Sequence, residues 1–197
     1  TTQINNSDMC KQAVYAAEMY AAELLKQEIE KGPLITELQQ DWALPFELRL
    51  EQEIIANAQL SDLQGQFNVN LLTNPAAEGL YAPALVFARL LESLNIPDAQ
   101  SLQQALVKWI TNQTSESDLV YMERTPPYRA AHMPLVSISE LNLVEGFIPQ
   151  RTTLLYPYVS ALSETANINV NTASSQVLSA LLNTSEAAVR VLTEERL

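Results

Sequence analysis

Any chemistry in this chain would have to start from very few side chains. His132 is the only histidine and Cys10 the only cysteine in 197 residues. A Ser–His–Asp arrangement would have to use His132, within Arg129-Ala130-Ala131-His132-Met133-Pro134, and no G-x-S-x-G elbow accompanies it. Four glycines in the whole chain leave no Gly-rich loop to cradle a phosphate. Glu51 and Glu53 fall on one side of a strand, an arrangement that serves acid–base work or, more ordinarily, a solvated face. A lone cysteine permits no internal disulfide and no thiolate metal cluster. The ordinary reading of Cys10 is a small residue on a helix face. The N-x-S/T triplets at Asn5, Asn112 and Asn183 are short enough to arise by chance.

Hard oxygen donors do cluster once. Residues 111–123 offer Asn112, Gln113, Glu116, Asp118 and Glu123, the donor types that calcium takes from a flexible loop. Their spacing is not that of an EF-hand, so an ordinary polar loop stands beside a calcium site as a reading.

The balance of charge limits the partners. The formal charge is −12, with acidic residues spread along the chain rather than gathered in a tail. Neutralising phosphates takes Lys and Arg, so a nucleic-acid partner is excluded, and docking on an anionic membrane surface is disfavoured. Apolar residues make up 47% of the chain, enough for a substantial core in one domain or two small ones. No stretch reaches the roughly 18 apolar residues of a membrane span, and no signal peptide is visible.

The elements that would position these groups follow from periodicity. Residues 8–31 predict one helix, with Cys10, Val14, Ala17, Ala21 and Leu24 at spacings of three or four. Gly32-Pro33 ends it. From 46 to 71 the period changes to two: Phe46, Leu48 and Leu50, then Ile54, Ala56, Ala58 and Leu60, then Phe67, Val69 and Leu71. An antiparallel meander is expected, with Asp62-Leu63-Gln64-Gly65 as a turn in which glycine supplies a positive φ. The rest reads as helices. Pro83 opens one, Asp98 caps the next, and Ser137-Ile138-Ser139-Glu140 has capping-box spacing. Thr172 and Ser185 are expected to cap the last two, the second running on to Leu197. That pair has the outline of a helix–hairpin–helix. Its connection, Leu182-Asn183-Thr184-Ser185, lacks the glycine and cations that phosphate contact needs.

Several blocks in order resemble the K-type minor pseudopilins of the bacterial type II secretion system (general secretion pathway protein K). They are Lys11-Gln12-Ala13-Val14-Tyr15-Ala16-Ala17, Ser61-Asp62-Leu63-Gln64-Gly65-Gln66-Phe67-Asn68-Val69-Asn70, and Trp109-Ile110 followed by a polar loop. Then come Pro126-Pro127-Tyr128-Arg129-Ala130-Ala131, Ser137-Ile138-Ser139-Glu140-Leu141 with Leu143-Val144-Glu145-Gly146, and Tyr156-Pro157-Tyr158-Val159-Ser160-Ala161-Leu162 ahead of Ile168-Asn169-Val170-Asn171-Thr172-Ala173. The resemblance spans about residues 10–192.

It implies an α+β, pilin-like fold: a long N-terminal helix on an antiparallel sheet, with a large all-α insertion of sterile-alpha-motif-like units. The expected division is 1–72 pilin-like, 73–160 inserted helical domain and 161–197 a second helical segment. The family's closing C-terminal strand and the apolar helix expected ahead of residue 1 have no counterpart here, so membrane attachment is expected only through a preceding segment.

The implied function is non-enzymatic: a subunit at the tip of a short pseudopilus, on the periplasmic face of the inner membrane, that helps start its assembly. The implied partners are the I- and J-type minor pseudopilins, in a heterotrimer, met through Ala13, Val14, Ala17, Ala21 and Leu24. The family also carries calcium after the tryptophan, where W-[IL]-D-x-D is usual. Here Trp109-Ile110-Thr111-Asn112-Gln113 lacks both aspartates, which leaves Glu116, Asp118, Glu123 and Asn112 as the expected Ca2+ donors. The alternative is a periplasmic adaptor whose insertion binds a secreted substrate on a ledge of Tyr121, Pro126, Pro127 and Tyr128. The bland counterpart is that these residues buttress the insertion.

Overall fold

A computed structural model describes residues 2–32, 35–50, 54–74, 78–111 and 118–194. The chain divides into two compact units, 1–62 and 63–197. The division falls ahead of the expected boundary at 72/73. Its reason is that 67–72 contributes Phe67, Val69 and Leu72 to the core of the second unit.

In the first unit, helix α1 (Thr2–Lys31) is built from strong helix formers, chiefly Ala, Glu, Lys, Gln and Leu. It packs on strand β2 and on a 3-10 turn at Asp41–Ala43. Strands β1 (Phe46–Leu50) and β2 (Ile54–Ala58) pair antiparallel, Phe46 opposite Ala58 and Leu50 opposite Ile54. Half-buried and exposed residues alternate along both, as the period of two predicts. The ring of Tyr20 meets that of Phe46 with centroids 4.9 Å apart. At the end of α1, Lys31 Nζ donates to Asp41 Oδ2 at 2.8 Å and to Glu28 Oε1 at 2.6 Å. These bonds, Asp41 first, push its ammonium pKa up to about 12. Trp42 is buried, and its indole N–H donates to Gln40 Oε1 at 2.7 Å. Glu51 and Glu53 lie outside the described residues.

In the second unit, the expected third strand of the meander is not there. Strand β3 is only Phe67–Asn68, and a 3-10 helix occupies Val69–Thr73. β3 pairs in parallel with β4 (Val159–Ser160), not with the hairpin. The alternation misled because both faces are buried: Asn68 and Asn70 are each 2% exposed. Their amides replace water as partners of the main chain. Asn68 Nδ2 donates to Ser163 O at 2.7 Å, and its Oδ1 accepts from the N–H of Leu162 at 3.1 Å.

Helices α2 (Pro83–Ser93) and α3 (Ala99–Ile110) turn Phe87, Leu90, Leu91, Leu102 and Leu106 into the core. Each such side chain is worth roughly 1.5–3 kcal/mol of burial. The Phe67 ring stacks on Phe87 at 5.5 Å. Asp98 precedes α3, but in the left-handed conformation and with no side-chain cap. Its carboxylate accepts instead from Arg151 Nη2 at 2.8 Å. A single turn, α4 (Leu119–Met122), follows.

The Ser137/Glu140 capping box forms as expected and opens a 3-10 helix at Ile138–Leu143. Helix α5 (Pro149–Leu155) leads through a 3-10 turn at 156–158 into β4. Helix α6 (Ser175–Leu182) is capped by Ser174, whose Oγ accepts from the N–H of Val177 at 3.3 Å. Thr172 is not the cap. Its main chain and hydroxyl lie against Gly65, where a Cβ would stand 2.8 Å from Thr172 O. Close approach therefore explains Gly65, which is not among the residues of positive φ. Helix α7 (Glu186–Glu194) is capped as expected by Ser185, which accepts from the N–H of Ala188 at 3.3 Å.

Candidate functional site

Two places were picked out by the sequence, a helix face in the first unit and the 111–132 region in the second. On α1, Ala13 is 7% exposed, and Ala17, Ala21 and Leu24 are half-buried. Ala13, Ala17 and Ala21 look toward β2 across an apolar groove of about 530 Å³, with residues 54–60 as its far wall. The short alanine side chains let the helix lie near the hairpin. Val14 departs from the other four, being 56% exposed.

The helix carries a second row of apolar side chains, outside the 10/14/17/21/24 stripe. Tyr15, Met19 and Ile29 are 65%, 75% and 61% exposed. Ala22 falls between them on the same side, also exposed. The spacing of 15, 19, 22 and 29 is helical and was visible in the sequence. It was masked by the stronger alanine pattern on the opposite side. Thus α1 carries apolar side chains on two sides, one covered by its own hairpin and one open, where they are interspersed with Lys11 and Lys26.

In the second unit, Asn112, Gln113 and Glu116 lie outside the described residues. Asp118 and Glu123 flank α4 at opposite ends. Asp118 is mostly withdrawn from water, its side chain 16% exposed. Its Oδ1 accepts from the N–H of Ala130 at 3.3 Å and lies 3.0 Å from His132 Nε2. Glu123 is exposed. Among the described residues no three His, Cys, Asp or Glu side chains come close enough to share a metal ion. Of the expected donors that are described, Asp118 is engaged by Ala130 and His132, and Glu123 stands at the other end of α4.

The aromatic residues beside this region do not form a ledge. Tyr121 is 2% exposed and packs edge-on against Trp109, with centroids 5.0 Å apart. Tyr128 sits 5.5 Å from Tyr121 and 6.2 Å from Trp109, and its hydroxyl donates to Leu143 O at 2.9 Å. The Tyr121 hydroxyl accepts from the N–H of Glu145 at 3.3 Å. Burial raises the Tyr121 phenol above its ordinary pKa. Pro126 and Pro127 are exposed at the rim.

Among the described residues no helix is long and apolar enough to cross a membrane. The family model for type II secretion system protein K matches residues 65–164. The chain is 34% identical to the type II secretion system protein K of Klebsiella pneumoniae, over 79% of this chain and 51% of that protein. It is 30% identical to a putative type II secretion system protein K of Escherichia coli K12, over the whole chain and 65% of that protein. It thus spans between half and two thirds of the length of these relatives. Among solved structures it is similar to a chain in the crystal structure of the GspK-GspI-GspJ complex from the type 2 secretion system of enterotoxigenic E. coli. There the TM-score is 0.80 and the identity 27%, over 95% of this chain and 72% of that one. A family match over half the chain, beside a relative 34% identical over 79% of it, leaves one conclusion: the chain belongs to the type II secretion system protein K family.

Proposed function

We propose that this chain is a non-enzymatic minor pseudopilin. It caps the pseudopilus at the periplasmic face of the inner membrane and helps start the assembly of that fibre with I- and J-type partners. The observation that carries the reading is the double-faced α1. One apolar side faces the hairpin, while Tyr15, Met19 and Ile29 are left in water on the other. A row of this kind, at helical spacing, fits the flank of another long helix. Support also comes from the related chain, which was crystallised with GspI and GspJ.

The finer fold follows the same reading. The hairpin is part of a pilin-like antiparallel layer, and β2 offers its outer edge beside the groove for a further strand. The unit from 63 onward is the helical insertion, too bulky to be buried inside a fibre. An interface on α1 would bury upward of roughly 1,000 Å². The test is to mix the purified chain with I- and J-type minor pseudopilins and weigh the product. A mass of one copy of each supports the proposal. A chain that stays alone, or that instead retains a secreted exoprotein through residues 63–197, overturns it in favour of the adaptor reading.

A further inference from the structure

His132 sits in the left-handed region of backbone space, with φ 49°. Residues other than glycine adopt it rarely, and strain of this kind points to whatever over-determines it. Here the anchors lie on the main chain and on both edges of the ring. The His132 N–H donates to Trp109 O at 2.8 Å. Nδ1 lies 2.9 Å from the carbonyl oxygen of Thr111, and Nε2 lies 3.0 Å from Asp118 Oδ1. Thr111 is the residue that ends α3, and Asp118 is the residue that opens α4. One ring therefore spans the end of one helix and the start of the next. The His132 side chain is 23% exposed and that of Asp118 is 16% exposed, so the contact is largely out of water.

We propose that His132 does here the work that a divalent cation does in a calcium-tied segment, and that Asp118 consequently takes no dication. Calcium holds such segments by gathering main-chain carbonyls and carboxylates at about 2.3–2.6 Å. Thr111 O and Asp118 Oδ1 are donors of that kind, and a ring nitrogen already faces each. The Ala130 N–H occupies a further lone pair of Asp118 Oδ1. An ion held by Thr111 O and Asp118 Oδ1 together would have to displace the imidazole. That would cost His132 two of the contacts that keep its backbone in an unfavourable region.

The test uses the full chain and its single histidine, whose ring resonances are unique in an NMR spectrum. Millimolar CaCl2 should leave those resonances in place, and the Tm should be the same in CaCl2 and in EDTA. A ligand that binds only the folded state must raise Tm, so a rise with calcium, or displaced ring signals, would overturn the proposal. Asparagine tolerates the left-handed region, so His132→Asn keeps the backbone and removes the bridge. It should lower Tm by about 3–6 °C. Asp118→Ala should give a similar loss, and the double variant little more, because both remove one shared contact. Additive losses, or a His132→Asn protein as stable as its parent, would also overturn it. The calcium arm needs no variant and stands even if one of them fails to fold.

Discussion

The amide of Asn70 is hydrogen-bonded to both main-chain groups of Leu135: Nδ2 donates to the carbonyl at 2.9 Å, and Oδ1 accepts from the N–H at 2.8 Å. The same Nδ2 donates to Leu162 O at 2.9 Å. A side chain here stands where a neighbouring strand would otherwise be, and it ties two distant loops to 67–73. Each buried group orphaned by its loss costs about 1–3 kcal/mol. Asn70→Ala should therefore destabilise the protein by about 3 kcal/mol in urea unfolding. Asn57→Ala, on the exposed side of β2, should stay within about 0.5 kcal/mol of the parent. Equal effects at the two sites would contradict this account.

Gly65 gives a steric prediction. A methyl group there would stand 2.8 Å from Thr172 O and 2.9 Å from its carbonyl carbon, both main-chain atoms with little room to yield. Gly65→Ala should cost about 1–3 kcal/mol. At Gly32 nothing lies within 4 Å, and Gly32→Ala should leave the urea midpoint nearly unchanged.

The two faces of α1 predict opposite phenotypes. Ala17→Glu puts a charge against the hairpin and should lower the stability of the first unit whether or not partners are present. Met19→Glu lies on the open face, so the isolated chain should melt as the parent does. That variant should nevertheless fail to co-purify with I- and J-type pseudopilins. Recovery of the intact complex with Met19→Glu would remove the open face from the interface.

Tyr121 sets an alkaline limit. Burial holds its phenol above the ordinary value of 10.0, against a smaller opposite effect from the hydrogen bond with Glu145. The folded chain keeps a proton that the unfolded chain gives up once pH passes about 10. The contribution is thus intact below that pH and declines above it. Tyr121→Phe should flatten the fall of stability above about pH 10, measured as urea midpoints against pH. A slope identical to the parent's would place the titrating group elsewhere.

Much of this was legible before the structure, for a physical reason: caps and helical stripes are local. The Ser137/Glu140 box, the Ser185 cap, the Pro83 start and the alternating hairpin all depend on residues within a few positions of one another. What failed was long-range. Asn68 and Asn70 looked like the wet side of a strand because their partners, at 135 and 162–163, are invisible to a short window. Gly65 looks like a turn glycine in sequence because Thr172, which crowds it, is far off along the chain. His132 carries no local signal because Thr111 and Asp118, which explain it, lie 21 and 14 positions upstream. The family blocks, by contrast, carry long-range information that periodicity does not, and they led to the family that the comparisons show.

The parallel pairing of Phe67 with Val159 has a consequence for how this polypeptide comes into being. Some ninety residues must already have left the ribosome, or have crossed into another compartment, before that ladder can close. Until then Phe67, Val69 and the two asparagines have no seat, and the intervening helices can only gather provisionally. Maturation of the larger unit is thus tied to completion of its distal third, and a nascent chain arrested before position 160 would present a sticky, unfinished surface to chaperones.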